Sequence, residues 1–132
     1  MHIIHTQNEL VETLKKLTNI AFVPTMGNLH DGHLKLIEEA LKKTKHVIVS
    51  IIINPLQFNS KDDFKNYPRT LDEDLSMLQK LDVPFVFVPS KEDIIDSPQT
   101  IKIHLSDIAN DLCGRFRPGH FNGVATIVCK LF

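Results

Sequence analysis

Ile20-Ala21-Phe22-Val23-Pro24-Thr25-Met26-Gly27-Asn28-Leu29-His30-Asp31-Gly32-His33 is the stretch whose reading decides the fold. Its first four residues are a continuous apolar run stopped by a proline, the pattern of a buried strand. Immediately after it, Leu34, Ile37, Ala40 and Leu41 share one helical face, and Glu38, Glu39, Lys42 and Lys43 occupy the other. Pro24 to His33 is therefore a strand-to-helix turn carrying two glycines and two histidines.

The same alternation extends on both sides. Asn8 to Leu17 has apolar residues at 10, 11, 14 and 17, a helical spacing that Asn8 or Thr6 could cap. Val47 to Ile53 is β-branched and apolar apart from Ser50, as in a strand buried on both faces of a parallel sheet, and Asn54-Pro55 ends it. Asn59 to Thr70 reads as a loop or short helix. Leu71, Leu75, Leu78 and Leu81 lie in helical register, and Phe85 to Val88 is a further buried strand. Ile101 to Leu105 alternates, which predicts a half-exposed strand near a sheet edge. Gly123 to Phe132 is an apolar helix without a glycine cap or polar tail, the pattern of a chain cut inside a helix. Strands alternating with helices of about ten residues imply right-handed βαβ units. The expected fold is α/β, a Rossmann-like three-layer sandwich with a mainly parallel sheet, forming one nucleotide-binding domain over residues 1–132. Ligands of such sheets bind beyond the carboxyl ends of the strands. The Pro24–His33 and Asn54–Phe58 turns both follow strands and are expected to meet at one cleft.

Composition narrows the function by exclusion. Fifteen Lys and Arg against sixteen Asp and Glu give a net charge of -1, so no basic excess points to nucleic acid or an anionic membrane. The N-terminus has neither the charged nor the long apolar region of a signal peptide, and Val47 to Ile53 is too short to span a bilayer. Cys113 and Cys129 form no CxxC pair and fit free thiols in a reducing, cytoplasmic setting.

A helix starting near Gly32 or His33 presents unpaired N–H groups and a positive dipole end, which suit a phosphate. Gly27 and Gly32 let backbone approach a ligand. His30 and His33 are three apart, so a helical turn would put both rings on one side, where imidazoles can donate to phosphate oxygens as charge develops. An HxxH pair by itself also reads as two metal ligands or as surface histidines on an ordinary turn. HExxH spacing and a nearby third ligand are missing, and the preceding strand, following helix and intervening glycine favour the phosphate reading.

His30-Asp31-Gly32-His33 resembles the HxGH signature of the class I nucleotidylyltransferase superfamily. The run from Val23 to His33 is similar to the pantoate–β-alanine ligase (pantothenate synthetase) family in particular. Four further segments agree: Val49 to Phe58, Tyr67-Pro68-Arg69-Thr70, Arg117-Pro118-Gly119-His120-Phe121, and Gly123 to Val128. Members of that family continue into Gly-Glu-Lys-Asp and Ser-Ser-Arg segments and a C-terminal lid domain. None of these falls within the 132 residues, so the resemblance implies the first half of such an enzyme, with little turnover of its own.

The resemblance implies a two-step reaction in which pantoate is adenylated by ATP, with Mg²⁺ accompanying the nucleotide, and β-alanine then displaces AMP. It implies His33 and His30 as catalytic residues and Met26, Gly27, Asn28, Leu29, His30, Asp31, Gly32 and His33 around ATP. It also implies Gln57, Pro24, Thr25, Met26, Phe58 and Val124 around pantoate and β-alanine. Asn54, Tyr67, Arg117 and His120 are further candidates, and Glu73 or Asp74 would be the acid associated with Mg²⁺. The acidic run Asp72-Glu73-Asp74 is equally explained by a helix dipole. The partners implied are these small molecules and a second copy of the chain, as a homodimer. The rivals are another class I nucleotidylyltransferase, which would share the sheet and HxGH but leave the Asn54–Phe58 block unexplained, and a non-catalytic nucleotide-binding or dimerisation fragment.

Overall fold

The computed structural model describes residues 1–90, 94 and 102–132. They divide into two compact units, Met1–Ile53 with Pro68–Asp93 and Asn54–Tyr67 with Ile94–Phe132.

The first unit holds the sheet. In chain order it runs β1 (His2–Ile4), α1 (Gln7–Leu14), β2 (Ile20–Thr25), α2 (Asp31–Lys43), β3 (His46–Ile51), α4 (Leu71–Lys80) and β4 (Phe85–Phe87); the intervening α3 (Lys61–Asn66) belongs to the second unit. The strands form one sheet in the order β1-β4-β3-β2, and every pairing is parallel. Thr6, not Asn8, caps α1, by accepting the Glu9 N–H at 3.2 Å. β3 lies inside the sheet and is buried along Val47 to Ile51, as its unbroken apolar run predicts. Successive strand residues face opposite sides. Val47, Val49 and Ile51, with Val23 and Val86, pack against Ile37 of α2 and Leu78 of α4 in one core. Ile4, Ile48, Ser50 and Phe87 are buried on the other face.

Pro24 does not end its strand. It stands within β2 opposite Ser50, in a strand paired on one side only among the described residues. An edge position tolerates the missing N–H that an interior strand would need. On α2 the predicted polar face is present, with Lys35 bonded to Glu38 at 3.1 Å and Lys42 to Glu39 at 2.7 Å. Such exposed pairs add little stability.

The second unit contains a 3₁₀ turn (Pro55–Gln57), α3, a second 3₁₀ turn (Asp107–Asn110), α5 (Cys113–Phe116) and α6 (His120–Leu131). The helix read from Gly123 starts three residues earlier, after Gly119 in a left-handed conformation. The strand expected over Ile101 to Leu105 is absent from Lys102–Leu105; Ile101 lies outside the described residues. The N–H of Ile103 donates to Thr126 Oγ1 at 3.1 Å and that of Leu105 to Asn122 Oδ1 at 2.9 Å, so polar side chains of α6 take the donors that a neighbouring strand would have taken. The predicted alternation is not realised in burial, since Ile103 is half-buried while Leu105 is exposed with Lys102 and His104.

Candidate active site

β2 ends at Thr25, whose hydroxyl donates to the Ser50 carbonyl at 2.7 Å and accepts the Gly27 N–H at 3.2 Å. The chain then turns through two left-handed residues, Gly27 (φ 76°) and Asn28 (φ 51°). Such a pair is accessible to glycine and tolerated by asparagine. The Asn28 and Leu29 N–H groups donate to the Asp74 carboxylate of α4, at 2.9 and 2.8 Å. Leu29 is buried, and His30 becomes the N-cap of α2.

The helix starts at Asp31 rather than at Gly32 or His33, and His30 stands outside it in an extended conformation. His30 Nδ1 accepts the Gly32 N–H at 3.1 Å, which leaves Nε2 as the ring nitrogen able to donate elsewhere. A Cβ on residue 32 would meet the His30 ring at 3.0 Å, so any larger residue there requires the ring to give way by a few tenths of an ångström. The two rings do come together, with centroids 4.1 Å apart and planes 47° apart, through a cap rather than one face of a helix. His30 is exposed and His33 is half-buried. Burial of its ring holds His33 below its ordinary value of 6.5; His30 lowers it further and Asp74 opposes both. His33 Nδ1 is buried with no hydrogen-bond partner among the described residues.

These bonds narrow the backbone cradle expected over Met26 to Gly32. The N–H groups of Gly27, Asn28, Leu29 and Gly32 are already taken, and those of His33 and Leu34 donate to the His30 carbonyl. Met26, His30 and Asp31 supply the turn's remaining peptide donors. An open groove of about 660 Å³ beside the turn is lined by residues including Leu29, His30, Leu34, Met77 and Lys80. Pro24 is exposed, and Thr25 is buried by its bonding role.

The second unit builds its own polar cluster. Asn54 caps the 3₁₀ turn by accepting the Leu56 N–H on Oδ1 at 3.1 Å. Its Nδ2 donates to the Gly123 carbonyl at 3.2 Å and to Gln57 Oε1 at 3.1 Å. Two backbone partners thus set the Asn54 amide, and Asn54 in turn sets Gln57, which keeps its NH₂ as donor and one lone pair of Oε1 as acceptor. Gln57 is 7% exposed, so it is not a solvated loop glutamine. His120, expected near a substrate or phosphate, instead places Nδ1 2.7 Å from the Gln57 carbonyl oxygen. Residue 123 must be glycine, because a Cβ there would lie 2.3 Å from the Leu56 carbonyl oxygen. Half-buried Phe58 packs edge-on against Phe64 and Tyr67, with centroids 5.5 Å apart in each case. Val124 is half-buried on α6 and Arg117 is exposed.

Sequence reasoning missed two roles, the bonding of Asp74 to the turn and of His120 to the Gln57 backbone. The first had a signal. Asp74 is three residues after Leu71 and four before Leu78, so it sits on the apolar stripe of α4, while Asp72 and Glu73 do not. Glu73 is exposed, and no group of three or more His, Cys, Asp or Glu able to hold a metal occurs among the described residues. No described helix is long and apolar enough to cross a membrane.

Comparison with known proteins agrees with this architecture. Residues 2–132 match the family model described as pantoate-beta-alanine ligase. Pantothenate synthetase from Neisseria meningitidis is 49% identical over 133 aligned residues, covering 100% of this chain and 48% of that protein. The enzyme of the same name from Methylobacillus flagellatus is 48% identical, with the same coverage. Among solved structures, pantoate-beta-alanine ligase from Francisella tularensis, complexed with βγ ATP and β-alanine, superimposes with a TM-score of 0.93 at 42% identity, covering 99% of this chain and 52% of that one. Pantothenate synthetase from Thermus thermophilus gives 0.88 at 37% identity, covering 100% and 48%. The chain spans about half the length of these relatives. Matched by the family model over residues 2–132, and sharing its parallel α/β fold with solved members, the chain belongs to the pantoate–β-alanine ligase family.

Proposed function

We propose that this chain carries part of the site of an AMP-forming ligase that joins pantoate to β-alanine. In the first step a pantoate carboxylate oxygen attacks the α-phosphorus of ATP; an oxygen–phosphorus bond forms and pyrophosphate leaves with its bonding pair. In the second, the β-alanine amine attacks the activated carbonyl; the amide bond forms, AMP leaves, and the amine loses a proton. Mg²⁺ enters as the companion of the nucleotide and neutralises phosphate charge, and exposed Glu73 is the acid here with a face free toward it.

The observation that carries this reading is the pair of imidazoles in tilted contact at the N-terminus of α2, one fixed as a cap and the other half-buried, where burial disfavours its charged form. His33 and the Nε2–H of His30 would donate to phosphate oxygens, with the Met26, His30 and Asp31 N–H groups alongside. A ring whose charged form is disfavoured in the free protein gains its proton where an anionic phosphate compensates burial. Gln57 would use its NH₂ on the pantoate carboxylate and its remaining lone pair on a pantoate hydroxyl, with Phe58 and Val124 as apolar walls. Arg117 is a further phosphate or substrate contact, His120 and Asn54 hold Gln57, and Tyr67 braces Phe58. The structure complexed with βγ ATP and β-alanine supports these ligand classes for the family. The Asn54–Gln57 arrangement favours pantoate over the substrates of other nucleotidylyltransferases. Homodimerisation and a cytoplasmic setting belong to the same reading.

Pantoate-dependent pyrophosphate release tests it in the intact protein. His33→Ala is expected to lower kcat by about 100-fold or more with the fold retained. Gln57→Ala is expected to harm the use of pantoate while ATP binding persists. Near-normal release from folded His33→Ala refutes the role of the turn, and unchanged pantoate kinetics in Gln57→Ala refute the pantoate assignment.

A further inference from the structure

Asp74 is the one member of the acidic run Asp72-Glu73-Asp74 that is buried, with 1% of its surface exposed. A carboxylate taken from water costs several kcal/mol unless its oxygens find donors. Here Oδ1 accepts the Leu29 N–H at 2.8 Å, and Oδ2 accepts the Asn28 N–H at 2.9 Å and the Thr70 hydroxyl at 3.2 Å. The Asp74 N–H donates to the Thr70 carbonyl at 2.8 Å, so the side chain projects from a closed first turn of α4. On the other side a Cβ at Gly27 would come within 2.9 Å of Oδ2. Glycine at 27 thus serves both the left-handed turn and the close seat of the carboxylate.

We propose that Asp74 is a positioning residue for adenylyl transfer, holding the peptide planes of Asn28 and Leu29 so that His30 and His33 are presented at the start of α2, and that it is not a ligand of the nucleotide's Mg²⁺. The proposal rests on the reading of the turn as an adenylylation site. Mg²⁺ dehydrates reluctantly and keeps several waters, which a carboxylate enclosed by three donors does not accommodate. A rigid two-point anchor on adjacent N–H groups does suit a turn whose Asn28 backbone is left-handed, since displacements of about 1 Å near reacting groups cost rate heavily.

The test uses Asp74→Asn and Thr70→Val in the intact protein, with two readouts. One is backbone amide hydrogen exchange at Asn28 and Leu29 without substrates. The other is pantoate-dependent pyrophosphate release across a Mg²⁺ series. In Asp74→Asn an amide NH₂ replaces one acceptor. Exchange at both amides should quicken and kcat should fall about 10- to 100-fold, with pantoate KM and half-saturating Mg²⁺ within about threefold of the parent. Thr70→Val should move the same quantities in the same direction by less. A folded Asp74→Asn protein with parental kcat overturns the proposal. So does a loss restored by excess Mg²⁺ with amide protection intact, because that marks a metal ligand. If Asp74→Asn does not fold, Thr70→Val decides, and parental kcat in it overturns the role. Absence of pyrophosphate release in the parent sinks the proposed reaction but leaves the clamp to be judged by exchange alone, where equal rates in parent and variants refute it.

Discussion

At the scale of single residues, His33 is set by opposing influences: burial and His30 disfavour its charge, while Asp74 favours it. The net direction is downward, so the native state binds a proton less readily than the unfolded chain. His33 therefore withdraws stability as pH falls from its ordinary value of 6.5 toward the lower native value, and withdraws none above that window. The histidine ring-proton shifts of the free protein should give His33 a midpoint below 6.5. His30→Gln should raise that midpoint, and Asp74→Asn should lower it. A His33 midpoint at or above 6.5 in the parent would contradict the burial seen here. The pair of histidines was legible in the sequence. Their inequality was not, because it depends on which ring the core covers.

At the scale of elements, α2 begins on a histidine cap, so capping can be tested apart from the phosphate contact proposed for His30. His30→Ala should remove the acceptor for the Gly32 N–H and cost about 1 kcal/mol of stability, seen as a lower urea midpoint. His30→Asn, which can accept the same bond, should recover most of that stability without restoring pyrophosphate release. Recovery of both would reduce His30 to a cap. The helix itself was readable from its apolar stripe, but its first residue was not, since two turn glycines and two histidines fit several starting points. Pro24 shows the same limit. Its ring marks a missing donor, and only the strand order shows that the donor is not needed at the edge of the sheet. Lys102 to Leu105 shows it again: a period of two read as a half-exposed strand, yet Leu105 is exposed and the segment's N–H groups at 103 and 105 bond to side chains of α6.

At the scale of the whole molecule, the described residues form two units, each with its own polar cluster. In the second unit α6 approaches the 3₁₀ turn so closely that a Cβ at 123 would lie 2.3 Å from one backbone atom and 2.6 Å from another. Backbone cannot yield as a flexible side chain does. Gly123→Ala should therefore cost about 2–3 kcal/mol and, by shifting the Asn54–Gly123 bond, weaken pantoate use more than ATP binding. Equilibrium unfolding and ligand titration of the intact protein read the two effects, and an Ala variant with parental stability would show that the approach is looser. Ser50 is a gentler case. Its buried hydroxyl has no partner among the described residues, so Ser50→Ala should be neutral or stabilising within about 1 kcal/mol in the same unfolding measurement.

By itself the sequence determined the alternation of strands and helices and the parallel habit of the sheet, and it singled out the glycine–histidine turn on which the proposed function rests. Those follow from local causes: apolar period, β-branching, prolines and caps act over a few residues. Only the tertiary structure decided that β1 pairs with β4, that His120 holds the Gln57 backbone, and that Asp74 spends its charge on peptide N–H groups 45 and 46 residues away. A buried donor must find an acceptor, and which acceptor it finds depends on how the chain returns on itself.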